Sequence, residues 1–239
     1  METARLGHIE SRLDSLAIEN LGRGVNGVWE QTVCRFAGRA VTLERGIRAC
    51  ADIPAAAAVH ILVRSLVDLV ILADWIAQDP LRRIDLWKAE GELENARYIR
   101  RALDSGLVDD LAQDPVEAER IYLERMAAVN KARTAAKLAA NADPLPSIES
   151  MAKAVGPDHV KQLYTGAFRP TSGYTHTSFM SFAEMAMQGA VEGPVLNSEG
   201  TRRTGAALLA HVMALASRVA DLKIETECDQ LHDELVGSH

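Results

Sequence analysis

Residues 54–77 read PAAAAVHILVRSLVDLVILADWIA. Nearly every position is Ala, Val, Leu or Ile, over a length that suits a helix and not a strand. A helix that is apolar on all sides belongs inside a protein. Yet His60, Arg64 and Asp68 stand within it at i, i+4 and i+8, and therefore along one narrow stripe. Buried charge is tolerated only when it is paired or used. The stripe is thus either a structural ion-pair network or half of a site. Arg four residues ahead of Asp is the less favourable order for a pair within one helix, so their partners are expected on other helices. The same ionisable groups argue against a membrane span.

Outward from this stretch the chain reads as all-α: a single multi-helix bundle around the buried helix at about 54–77. No sustained period-2 alternation marks a strand. Trp29, Val33, Phe36, Ala40, Leu43 and Ile47 step by four and three, which predicts a helix over about 28–50. Asp79-Pro80 and Asp114-Pro115-Val116-Glu117 are helix starts, with Asp as N-cap and Pro at the first helical position. They open helices to about Leu103 and Ala140. Shorter helices are expected over 147–155, 158–168 and 179–190, and a last long one over 201–226. The domain reading is a polar N-terminal segment at 1–26, a helical bundle at 27–226 and a polar tail at 227–239.

The 239 residues are 48% hydrophobic and carry a net charge of -7, which supports a core and disfavours general nucleic-acid binding. Three cysteines, Cys34, Cys50 and Cys228, form neither a Cys-x-x-Cys pair nor a cluster with histidines. Together with the lack of an apolar leader, they point to a cytoplasmic protein with buried thiols. Glu-x-x-His is absent, so the di-iron bundle pattern is not met, and neither metal nor cofactor is expected. The absence of a Walker loop, G-x-S-x-G and H-E-x-x-H leaves those phosphoryl-transfer, hydrolase and zinc routes unsupported.

A second polar constellation comprises Tyr164, Arg169, Ser172, Tyr174 and His176 in FRPTSGYTHTS and just before it. A histidine near neutral pKa can move a proton to or from a ribose hydroxyl. An arginine can neutralise charge on a pentacoordinate phosphate. Arg169 and His176 are therefore candidate catalytic residues for metal-independent RNA cleavage. Arg64, Asp68, Tyr164, Ser172 and His60 are candidate supporting or binding residues. The competing reading makes His176 and Ser172 helix caps, Arg169 a surface charge, and Arg64–Asp68–His176 the buried network of a non-catalytic binding or scaffold protein.

Arg64-Ser65-Leu66-Val67-Asp68, with Trp75 behind it, followed by Tyr164, Ser172 and His176, resembles a bacterial family known only as a domain of unknown function. The resemblance covers roughly residues 30–190 and implies an all-helical fold with no established activity. More distantly, the Arg169–His176 spacing is similar to that of the HEPN group of helical nucleases and nucleotide-binding proteins. Pro170 stands where that group has a polar residue. This second resemblance implies a homodimer, an RNA or phosphate ligand, and a bacterial defence or toxin–antitoxin setting.

Overall fold

The computed structural model describes residues 2–22, 24–51, 56–106, 114–168 and 198–236. Among these there are nine helical elements and no strand, and the helices pack against one another as in a bundle. They are α1 (Glu2–Asn20), α2 (Val28–Ala51), α3 (Ala56–Ala77), α4 (Pro80–Ser105), α5 (Pro115–Ala135), α6 (Ile148–Val155), a π-helical segment (His159–Phe168), α7 (Ser198–Ala220) and α8 (Glu225–Val236). None of the described helices is long and apolar enough to cross a membrane. The chain forms two compact units, Met1–Trp75 with Ile148–His239, and Ile76–Ser147.

The first unit holds most of the core. On α3, Val59, Val63, Leu66, Val67, Val70, Ile71, Ala73 and Trp75 are buried, as the composition of that stretch predicts. Helix α2 buries Val33, Phe36, Ala40, Leu43 and Ile47, the seam read from its periodicity. It packs against α7, which buries a stretch of mostly small and aliphatic residues from Gly205 to Ser217. Close approach depends on Gly205, where a Cβ would lie 3.2 Å from Ile47 Cδ1. Fully burying one Leu or Ile side chain contributes about 1.5–3 kcal/mol, so Leu13, Ile47, Leu66, Ile71 and Leu209 anchor this unit. Glu2–Asn20 joins it as α1, whose Leu6, Ile9, Leu13 and Leu16 form a helical stripe.

The last long helix ends at Ala220, short of the expected Thr226. Asp221 and Lys223 take left-handed backbone at φ 54° and 63°, and the Ile224 N–H donates to Ser217 Oγ at 3.0 Å. Helix α8 then begins, with Cys228, Leu231 and Leu235 buried along one face. Neither Gly nor Pro marks this corner, which hides it from a sequence reading.

In the second unit α4 and α5 run antiparallel. Arg100 pairs with Glu119 at one end and Arg125 with Glu92 further along. Ile99 and Ala118 are buried together, with Leu103, Ile121 and Tyr122 around them. Asp79 and Asp114 are N-caps as expected, but only Asp114 uses its side chain, accepting from the Val116 N–H at 3.1 Å. Helix α5 stops at Ala135, before the expected Ala140, because Lys137 turns left-handed at φ 56°. The buried Arg133 holds that turn by donating to the Ala142 carbonyl at 2.7 Å.

Candidate functional site

Asp74 lies in the last turns of α3, His159 opens the π-helical segment after Gly156-Pro157, and His211 sits midway along α7. Three elements far apart in sequence thus bring three ionisable side chains together. His159 Nε2 is 2.7 Å from Asp74 Oδ2, and His211 Nε2 is 2.8 Å from the same oxygen and 3.0 Å from Oδ1. Burial by itself would raise the Asp74 carboxyl, but hydrogen bonds from both imidazoles outweigh it and bring the group down to about 2. Burial also opposes the charged form of His211, and Asp74 overcomes that to raise its pKa. A carboxylate bonded to one imidazole nitrogen fixes the tautomer and strengthens basicity at the other.

The cluster borders a pocket of about 350 Å³. His159, His211 and His232 line it together with Arg203, and Val70, Leu163, Leu208 and Leu235 supply apolar wall. The His211 ring centroid is 6.4 Å from those of both His159 and His232. Asp74 is 12% exposed at its side chain, His159 21% and His211 32%, so the imidazoles are reachable while the carboxylate lies behind them. Arg203 donates to the Leu235 carbonyl at 3.4 Å. An acidic chain therefore gathers three imidazoles and a guanidinium around one cavity, with Asp158 as the one carboxylate among the described lining residues. This arrangement suits a small anionic ligand once the imidazoles are charged.

Of the features singled out from the sequence, Arg169, Ser172, Tyr174, His176 and the helix expected over 179–190 lie outside the described residues. His60, Arg64 and Asp68 share α3 with Asp74 but are not among the pocket-lining residues. Burial pushes Asp68 up to about 6 against the opposing charge of Arg64, and Asp68 Oδ1 accepts no hydrogen bond among the described residues. Tyr164 donates to Glu149 Oε2 at 3.0 Å, a contact between α6 and the π-helical segment.

A second polar cluster joins α1, α2 and α7. Asp14 accepts from Arg45 at 2.9 Å and from Arg48 at 2.7 Å. Arg202 bonds both oxygens of the buried Glu10, at 3.0 and 2.5 Å. Arg48 also approaches Glu44 at 3.0 Å, but neither Glu44 oxygen gains a well-aligned hydrogen bond among the described residues. Burial, opposed by Arg48 and reinforced by Glu10 and Asp14, lifts Glu44 to about 7. The cysteines take no part in either cluster. Burial, with Glu227 and Asp229 nearby, pushes the Cys228 thiol up to about 12, which keeps it protonated and inert.

Asp74, His159 and His211 were not candidates at the level of sequence. One signal was present: Asp74 and His211 interrupt apolar runs, VILADWIA and ALLAHVMALA. A glycine pattern also needs its structural context. Gly22, Gly24 and Gly27 have the spacing of a dinucleotide fingerprint, but they follow helix α1, and the fingerprint requires a strand there.

No curated protein matches the chain, and no solved structure matches it either. The model of a family of unknown function, DUF5677, matches residues 30–189, about two-thirds of the sequence and the stretch containing Asp74 and His159. The chain belongs to that family.

Proposed function

We propose that the protein recognises a small phosphate-bearing ligand in the pocket beside Asp74, His159 and His211. The observation that carries this reading is the convergence of three imidazoles and Arg203 on one cavity backed by the half-buried carboxylate of Asp74. Imidazolium and guanidinium groups donate charge-assisted hydrogen bonds to phosphate oxygens. An imidazole held by Asp74 also has the equipment for proton transfer at a phosphate ester. The volume suits a nucleotide fragment, and a net charge of -7 disfavours a long polyanion lying across the surface.

The RNA-acting form of this reading, in a bacterial defence or toxin–antitoxin setting and as a homodimer, is favoured by the Arg169–His176 spacing. It places the chemistry on Arg169 and His176, which lie outside the described residues. The two forms separate by experiment. Inorganic phosphate and a nucleoside monophosphate are titrated in EDTA into the full chain, with imidazole ¹⁵N signals as readout. Saturable shifts of His159, His211 and His232, lost on Arg203→Ala, support the pocket. Absence of shifts overturns it. RNA cleavage in EDTA that fails in His176→Ala but survives in His211→Ala moves the activity to the later segment. Absence of both phosphate binding and cleavage favours the non-catalytic binding or scaffold protein.

A further inference from the structure

We infer that Asp74, His159 and His211 form a binding site for a divalent transition-metal ion of the zinc class. The inference shares the pocket with the phosphate reading and does not depend on it. Both imidazoles aim Nε2 at the same carboxylate, and one ligand atom from each residue lies within 4.8 Å of the other two. Two imidazole nitrogens and a carboxylate oxygen suit zinc, cobalt, iron(II) or nickel, whereas calcium and magnesium prefer all-oxygen sets. Three protein ligands leave coordination positions open, the mark of a reactive site as opposed to a closed structural one. Those open positions would face the pocket, where His232 and Arg203 stand ready to contact whatever binds there.

The hydrogen-bond lengths of 2.7 and 2.8 Å are shorter than the ligand separations of a tetrahedral ion, roughly 3.4 Å for bonds of about 2.1 Å. Metal entry therefore spreads the three groups by several tenths of an ångström and displaces the protons now shared with Asp74. The partial exposure of both imidazoles leaves room for that movement. Sequence spacing alone hides the site, since its ligands come from three elements with no local motif among them.

The test is a titration of the EDTA-stripped full chain with Co²⁺ alone, followed by visible absorption, then displacement by Zn²⁺. Wild type is expected to take up one ion per chain. His159→Ala, His211→Ala and Asp74→Asn should each lose at least about tenfold in affinity, while His232→Ala retains it. Circular dichroism checks each variant's fold. Absence of uptake by wild type overturns the inference whatever the variants do. So does uptake unchanged in the folded His159→Ala variant. The buffer holds no phosphate and the phosphate titration runs in EDTA, so either reading can fail alone.

Discussion

Two carboxylates on α3, six residues apart, have opposite electrostatic fates. Asp68, pressed by burial with only Arg64's charge against it, rises to about 6. Asp74 is more completely surrounded, yet two imidazoles bring it down to about 2. Burial alone therefore does not decide the charge of a carboxylate; the donors aimed at it do. Glu44 in the α1–α2–α7 cluster falls on Asp68's side, at about 7, because Arg48 approaches without satisfying it. The stripe that stands out in the sequence thus holds a poorly partnered acid, and the well-partnered one lies further along the same helix.

This contrast predicts opposite signs for the same kind of substitution. Asp74→Asn should be the most destabilising, with a loss of about 2–3 kcal/mol near pH 6 in urea unfolding. Asp74's contribution is present above its unfolded pKa and is lost as pH falls through about 2. The His211 part is present below its unfolded pKa and fades as pH rises through its raised folded value. The penalty is therefore greatest between about pH 4 and 6.5. A constant penalty from pH 4 to 9 would mean that packing, and not charge, links these groups.

Glu44→Gln should act in the other direction. A raised folded pKa gives stability that is present below the unfolded value and lost as pH rises through about 7. The variant should be more stable than wild type by about 3 kcal/mol at pH 8 and equal to it near pH 4. Destabilisation at pH 8 would show that Glu44 is held by Arg48 better than the geometry indicates. Asp68→Asn should follow the same sign with a smaller gain, about 1 kcal/mol at pH 8, since Asp68 is less enclosed. Tyr164→Phe should be smallest, a loss of about 0.5–1 kcal/mol from the bond to Glu149, with the pocket histidines' NMR signals unmoved.

The helical class and the buried α3 were legible because a 3.6-residue period and an unbroken apolar run are local properties. The α2 seam from Val33 to Ile47 was legible for the same reason. The α7–α8 corner was not, since Asp221 and Lys223 adopt left-handed backbone without glycine. Nor was the cluster that the fold assembles from positions 74, 159 and 211, because no periodicity reports a contact between residues so far apart. His211 stands in an apolar helix, and Asp74 across from it gives it its role. The partners of Glu10 and Asp14 were hidden in the same way, with Arg202 and Arg48 reaching them from other helices.

The most direct test is a long-range ¹H–¹⁵N imidazole spectrum of the metal-free chain, recorded for wild type and for Asp74→Asn. Asp74's hold on His159 and His211 predicts that both imidazoles carry a proton on Nε2 and that the substitution shifts these two. His8 should stay in place. Spectra in which His159 and His211 match the exposed histidines in wild type and do not respond to Asp74→Asn would contradict the site itself.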